Sequence, residues 1–132
     1  MTKGFALKLW PGIKHFQPSE FDSPDLKGSG ERMNLEFVGK LDQLRSVLSM
    51  PLAIASGYRT PEHNAKVGGV DSSAHETGNA ADIVARASGT RFKLLQAALA
   101  MGFRRIGVGA GFIHLDDSLT HPQDVVWLYP SK

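Results

Sequence analysis

The sequence contains no cysteine among its 132 residues. The chain therefore forms no disulfide, and any metal site in it must be built from nitrogen and oxygen ligands. Without cysteine, residue usage gives no indication of the redox compartment in which the protein works.

Long apolar runs are also absent. The opening stretch MTKGFALKLWPGIKHF is interrupted by Lys3, Lys8 and Lys14, unlike the apolar segment of a signal peptide. No segment approaches the roughly 20 apolar residues that a membrane-spanning helix needs. We therefore expect a protein made in the cytoplasm without a signal peptide and not inserted in a membrane. Any action outside the cell would then require another route of release.

A large excess of one charge is missing as well. The 15 Lys and Arg residues against 13 Asp and Glu residues give a net charge of +2. Because no dense Lys/Arg cluster stands out, we expect no nucleic-acid binding. A hydrophobic fraction of 42% and a charged fraction of 21% are ordinary for a globular protein. We expect a single domain over residues 1–132, and a monomer as the default.

Two stretches have the periodicity of helices. Asn34 is a suitable N-cap for a helix over residues 34–49, and Pro51 would end it. Ser88 is a suitable cap for a second helix over about residues 89–101. The apolar positions of the first helix are Phe37, Leu41, Leu44 and Leu48, and those of the second are Phe92, Leu95, Ala98 and Leu99.

Short apolar runs predict strands. They lie at residues 52–55, 80–85, 104–108, 112–115 and 125–129. Gly107, Gly109 and Gly111 indicate a hairpin between the third and fourth runs, and Thr60-Pro61 begins a short helix over residues 62–66. The pattern predicts an α+β fold with a central, mainly antiparallel sheet and two main helices.

Residues 1–30 have no regular periodicity but contain large apolar side chains. These are Phe5, Leu7, Leu9, Trp10, Phe16 and Phe21. A disordered tail would leave them in water, so we expect an N-terminal arm that wraps the core.

The most informative stretch is SGYRTPEHNAKVGGVDSSAHETGNAADIV, residues 56–84. Within it, Ser73, His75 and Asp82 belong to the pattern S-x-H-x-x-G-x-A-x-D, and His114 follows in the run FIHLD. Two histidines and one carboxylate are a common catalytic zinc set, because three protein ligands leave the fourth tetrahedral position open for water.

Each of these residues also has an ordinary structural explanation. Asp82 lies among apolar residues, where a carboxylate is costly to bury unless paired or metal-bound, but an edge strand would leave it in water. A histidine on an apolar strand such as His114 is often a hydrogen-bonded core residue. Strand alternation, however, places His114 and Asp116 on the same face, which favours a site.

The segments SGYRTPEHN, GGVDSSAHETGNAADI and GFIHLD resemble the M15 family of zinc D-alanyl-D-alanine peptidases, most of all its small branch from bacterial wall enzymes and phages. The metal site is also similar to that of the hedgehog signalling domain. The resemblance covers roughly residues 16–127 and implies a hedgehog-like or DD-peptidase-like fold. It implies that His75, Asp82 and His114 bind one Zn²⁺ per chain.

The resemblance also implies roles around the metal. Arg59 matches an arginine near the substrate that assists carbonyl polarisation or carboxylate binding. Ser73 matches the serine that opens the metal motif, and we expect a substrate-binding or supporting role for it rather than a nucleophilic one. Tyr58 and Trp127 are expected to be core or groove walls.

One position departs from the family pattern. Many M15 relatives carry their general base three positions before the last histidine, where this sequence has Gly111. The nearest acid, Asp116, is either that base or a partner that orients His114, and Asp117 is the second candidate. His121 is expected in a surface loop from which it could reach the rim of the site.

Two functions follow as hypotheses. The first is a zinc peptidase that hydrolyses peptidoglycan stem peptides or crosslinks, of D,D-carboxypeptidase or endopeptidase type. It would be a phage or prophage lytic enzyme, an endolysin released by a holin or a component of the virion. The alternative is a non-catalytic module that keeps zinc and binds the cell wall, which the missing acid at Gly111 would favour.

Overall fold

A computed structural model describes residues 10–130 of the chain. The helices are α1 (Leu35–Leu48), α2 (Pro61–Lys66) and α3 (Ser88–Ala100). The strands are β1 (Ile54–Ser56), β2 (Ala80–Val84), β3 (Arg105–Val108), β4 (Phe112–Asp116) and β5 (Val125–Leu128). Among these residues, no helix combines the length and apolar character needed to cross a membrane. The predicted α+β fold is confirmed.

The five strands form one sheet in the order β1-β2-β4-β3-β5. Neighbouring strands are antiparallel except β3 and β5, which are parallel, so the sheet is mixed but mainly antiparallel as expected. Register places Asp82 opposite His114, His114 opposite Gly107, and Gly107 opposite Trp127. These four residues form a row across the sheet, and the site is built along this row.

Helix α1 follows its sequence pattern closely. The side chain of Asn34 accepts a hydrogen bond from the backbone N–H of Phe37 over 3.1 Å, which caps the helix as predicted. Phe37, Leu41 and Leu44 are fully buried, and Leu48 packs against the edge of the core. Burial of this one stripe explains why α1 forms where the periodicity predicts it.

Helix α3 corrects two details of the sequence analysis. Ser88 is its first residue rather than its cap, and Ala87 at the cap position offers no side-chain acceptor. The buried stripe is Leu94 and Ala98, whereas Phe92 is 64% exposed and Leu99 is 58% exposed. Because full burial on α3 is limited to this stripe, the apolar residues on either side of it, Phe92 and Leu99, remain exposed to water.

The described part of the N-terminal arm is packed rather than loose. It contains two 3₁₀ turns, Pro18–Phe21 and Ser29–Arg32, which the sequence pattern had not indicated. The buried Phe21 ring lies 5.6 Å from that of Trp10 and 5.4 Å from that of Phe16, between centroids. The expected anchors Phe5, Leu7 and Leu9 lie outside the described residues.

Helix α1 also ties down the backbone of the arm. The carboxylate of Asp42 accepts hydrogen bonds from the backbone N–H groups of Lys14 and His15, over 2.9 and 2.8 Å. The arm therefore continues the hydrophobic core and is hydrogen-bonded to it, which fixes its path across the protein.

Candidate metal centre

His75 is positioned by a loop that ends in a tight turn. The backbone N–H of Arg59 donates to the carbonyl of His75 over 3.1 Å, and the carbonyl of Gly78 accepts from Asn34 over 3.0 Å. Gly78 has φ of +75°, and a Cβ there would lie 2.6 Å from the carbonyl oxygen of Arg32. Only glycine fits this turn, which explains the glycine between His75 and Asp82 in the motif.

The ring of His75 has one occupied and one unoccupied nitrogen. Its Nδ1 donates to the carbonyl oxygen of Gly57 over 2.7 Å, which sets the tautomer. Its Nε2 is buried and has no hydrogen-bond partner among residues 10–130. Leaving a buried ring nitrogen without a hydrogen-bond partner costs free energy. The lone pair on Nε2 is therefore available to a ligand from outside the described residues.

Asp82 and His114 face each other across β2 and β4. Oδ1 of Asp82 lies 2.8 Å from Nδ1 of His114 and 3.3 Å from Nε2 of His75. The three residues are buried, and their candidate ligand atoms all lie within 4.8 Å of one another. The structure therefore brings together the three residues that the motif singled out.

Asp116 holds the other side of the His114 ring. Its Oδ2 lies 2.7 Å from Nε2 of His114, and its Oδ1 accepts from Nε of Arg105 over 2.7 Å and from the N–H of Ser118 over 3.1 Å. With Nε2–H donating to Asp116, Nδ1 is left to face Asp82 and His75. Such a carboxylate partner orients a histidine for metal binding.

The protonation states suit a metal site. Burial lowers the pKa of His75, which keeps this ring neutral. Burial raises the pKa of Asp82, but the hydrogen bond from His114 and the neighbouring ring of His75 outweigh it and hold that pKa well below its usual range. For His114, burial acts to lower the pKa, yet the Asp116 and Asp82 carboxylates outweigh it and raise the pKa.

The donor set fits zinc. Two imidazole nitrogens and one carboxylate oxygen match the ligands of catalytic zinc sites. Of these three atoms, Nε2 of His75 is the one without a hydrogen-bond partner in the described part of the chain, so it gains most from binding the ion. Each histidine already donates its other N–H to a protein acceptor, as metal-binding histidines do.

Two of the three candidate metal ligands, His75 and His114, line a cleft of about 410 Å³. One wall consists of Trp127 on β5 and Tyr129 just after it, and the centroid of the Trp127 ring lies 5.3 Å from that of His114. Both rings lie over Gly107, where a Cβ would lie 2.7 Å from Nε1 of Trp127. The wall thus approaches the ligands because β3 has no side chain at this point.

The chain was compared with known families and proteins. A model of the peptidase M15 family matches residues 14–116. The chain belongs to this family. No curated protein matches it significantly. The resemblance drawn from the sequence is confirmed, and membership of the M15 family indicates a metal-dependent peptidase with a peptide substrate.

In this M15 domain, the side chain of Arg59 holds the candidate metal ligand Asp82 in position. Its Nε donates to Oγ of Ser56 over 3.0 Å, Nη1 to Oδ1 of Asn64 over 3.1 Å, and Nη2 to Oδ2 of Asp82 over 3.2 Å. Oδ2 of Asp82 is thereby directed away from the two histidines and Oδ1 toward them. These contacts add a metal-orienting role to the substrate role that the family resemblance implies for Arg59.

The other candidates from the sequence fall in different places. Ser73 lines the cleft, and its Oγ accepts from the N–H of His75 over 3.1 Å. Asp117 lies outside the cleft, where it pairs with Lys40 over 3.0 Å and accepts from Asn79 over 2.9 Å. Gly111 lies beside the side chain of Arg86 rather than in the cleft.

Two cleft residues had no place in the sequence analysis. Arg105 donates to Asp116, and its guanidinium lies 4.9 Å from the centroid of Trp127. Tyr129 is two residues after Trp127, so strand alternation would have placed it on the same face. No local pattern singles out Arg105, because its pairing with Asp116 depends on the register of β3 against β4.

Proposed function

We propose that the protein is a zinc-dependent peptidase that hydrolyses peptidoglycan stem peptides or crosslinks, of D,D-carboxypeptidase or endopeptidase type. The observation that carries the proposal is the convergence of Nε2 of His75, Oδ1 of Asp82 and Nδ1 of His114 beside a cleft that His75 and His114 line. Membership of the M15 family supports it from an independent direction.

Zinc bound at this site would polarise the scissile carbonyl and lower the pKa of a bound water to about 7. The side chains of the protein orient the ligands of the metal. His75 and His114 present lone pairs in fixed orientations, and Arg59 keeps Asp82 aimed at them. The guanidinium groups of Arg59 and Arg105 also line the cleft, each paired with a carboxylate of the site, Asp82 and Asp116.

The site of action is part of the proposal. A peptidase for wall crosslinks works where the wall is, and the small M15 branch that the motifs resemble includes phage enzymes. We propose a phage or prophage lytic enzyme that acts as a monomer, reaching the wall through a holin-dependent route or as part of a virion.

The test combines metal content and cleavage. Wild-type protein should hold about one zinc per chain and release free amino groups from purified sacculi. His75→Ala, Asp82→Ala and His114→Ala should each lose both zinc and activity. The control is His15→Gln, because Nε2 of His15 bonds to Ser46 outside the cleft. A folded wild type that takes up no zinc, even when zinc is supplied, would refute the proposal.

A second function has one observation in its favour. Position 111 is glycine, and Asp116, the one carboxylate that lines the cleft among residues 10–130, already accepts from Arg105, Ser118 and His114. This favours a module that holds zinc and binds wall peptide without cleaving it. Zinc-loaded protein that sediments with sacculi but releases no amino groups would support this function over the first.

A further inference from the structure

Peptide hydrolysis needs a group that takes a proton from water and returns it to the leaving amine. Such a group must reach the cleft. Among residues 10–130, the titratable side chains that line the cleft are Arg59, His75, Arg105, His114, Asp116, His121 and Tyr129.

Four of these groups are engaged by the metal centre or lack a lone pair. His75 and His114 each use one nitrogen on a protein acceptor and direct the other at the metal position. Arg59 and Arg105 are guanidinium groups, which donate hydrogen bonds but do not accept protons.

Asp116 and Tyr129 are unsuited to the task for different reasons. The Asp116 side chain is 1% exposed and accepts from N–H groups of His114, Arg105 and Ser118, so three of the roughly four acceptor positions of its carboxylate are occupied and it is almost closed to water in the cleft. Tyr129 is a phenol, which ordinarily carries its proton at neutral pH and therefore acts as a donor.

His121 remains. Its Nδ1 lies 2.7 Å from Oγ of Ser118, and Nε2 makes no hydrogen bond within the described part of the chain. The ring is half-buried and lines the same cleft as the metal ligands. When Nδ1 of such a histidine donates to the hydroxyl, Nε2 carries a lone pair that can accept a proton.

The loop that carries His121 is braced rather than loose. Nε2 of Gln123 donates to the carbonyl oxygens of Ser118 and His121, over 2.7 and 2.9 Å. Nη1 of Arg105 donates to the carbonyl oxygen of Pro122 over 2.6 Å. Because Arg105 also holds Asp116, the same guanidinium fixes both the loop of His121 and the orientation of His114.

We propose that His121 is the general base and general acid of this peptidase, in place of the acid that the family pattern would have at position 111. The inference rests on the proposed peptidase function. Nε2 takes a proton from the attacking water as the water oxygen bonds to the carbonyl carbon. The imidazolium then gives that proton to the amide nitrogen as the C–N bond breaks. The products are a carboxylic acid and an amine, and His121 is neutral again.

A matched pair of variants tests this. His121→Gln has no proton-accepting group, and His121→Glu is of similar size but has one. We expect His121→Gln to lower kcat by about 100-fold or more, with KM changed by less than about threefold. His121→Glu should recover at least about tenfold of that loss. Both should keep one zinc per chain and the wild-type melting temperature, and His15→Gln should match wild type.

The pH profile gives a readout that a structural role would not move. The free pKa of glutamate is about 4.3 and that of histidine about 6.5. If residue 121 is the base, the acidic limb of kcat/KM should lie at lower pH in His121→Glu than in wild type. The other titratable groups that face the cleft, among them His75, His114 and Asp116, are the same in both proteins.

Each other outcome overturns the proposal in a recognisable way. Wild-type kcat in His121→Gln would remove His121 from the mechanism while leaving the peptidase function standing. Loss of zinc or of folding in both variants would show that the loop supports the metal centre instead. Zinc-loaded wild type that cleaves no wall peptide would refute the peptidase function and, with it, the role of His121 as general base.

Discussion

Nε of Arg105 donates to Oδ1 of Asp116 over 2.7 Å, and both side chains are almost entirely buried, at 11% and 1% exposed. The ion pair joins β3 to β4 directly behind His114. A buried charge pair of this kind is retained only where its geometry and its other hydrogen bonds are satisfied. Here the remaining bonds go to His114, Ser118 and the carbonyl of Pro122, so the pair holds the metal ligand and the adjacent loop together.

The first prediction concerns Asp116→Asn. If Asp116 orients His114, this variant should lower zinc affinity by about 10- to 100-fold, because the charged acceptor of the Nε2–H bond is replaced by a neutral amide. Competition with a chelator measures the affinity. Asp124→Asn is the control, since within the described part of the chain Asp124 forms its ion pair with the exposed Arg104, away from the metal centre. Unchanged zinc affinity with lost activity would instead favour the catalytic alternative for Asp116.

The second prediction is a pH dependence of zinc binding. Although burial opposes it, hydrogen bonds that the His114 ring donates to Asp116 and Asp82 raise the pKa of His114 above the ordinary 6.5. Zinc must displace this proton, so affinity should fall by about tenfold per pH unit below that raised pKa and level off above it. Calorimetry in buffers of different ionisation enthalpy should show a proton released on binding near neutral pH. An affinity independent of pH between 6 and 8 would contradict this.

The sequence predicts those parts of the site that a short motif or strand alternation specifies, and not those that depend on contacts between distant segments. His75, Asp82 and His114 were found because their spacing is a motif, and strand alternation already placed His114 beside Asp116. Asp82 is buried, bonded to His114 and Arg59 and 3.3 Å from Nε2 of His75, rather than facing solvent at an edge.

The relationships that escaped prediction are non-local. The Arg105–Asp116 pair depends on strand register, and the position of His121 depends on how a loop crosses from β4 to β5. The parallel β5 is a consequence of the same crossing. On α3, Phe92 and Leu99 are as hydrophobic in sequence as the buried Leu94, and only packing decides that they stay exposed.

A third prediction concerns the wall of the cleft. A Cβ at Gly107 would lie 2.5 Å from Cε2 of Tyr129 and 2.7 Å from Nε1 of Trp127. Gly107→Ala should therefore displace both rings, destabilise the protein by about 1–3 kcal/mol and raise KM. Gly39→Ala is the matched control, because it lies inside α1 with no atom within 4 Å of the added Cβ and should stabilise by about 0.5–1 kcal/mol. Denaturant unfolding and tryptophan fluorescence would report the two effects, and unchanged fluorescence in Gly107→Ala would contradict the close approach.

The last prediction tests the arm. Phe21 is fully buried between Trp10 and Phe16, and its carbonyl accepts from the N–H of Tyr58 over 2.9 Å, just before Arg59. Phe21→Ala should cost about 3–5 kcal/mol of unfolding free energy, because it removes a ring from a packed cluster.

Phe92→Ala is its counterpart on α3. The Phe92 ring is 64% exposed, so its removal should change stability by no more than about 0.5 kcal/mol. Equal effects of the two substitutions would mean that the arm does not belong to the core. If Phe21→Ala also weakens zinc binding while the protein remains folded, the arm acts on the metal centre through the Tyr58–Arg59 backbone, since Arg59 holds Asp82.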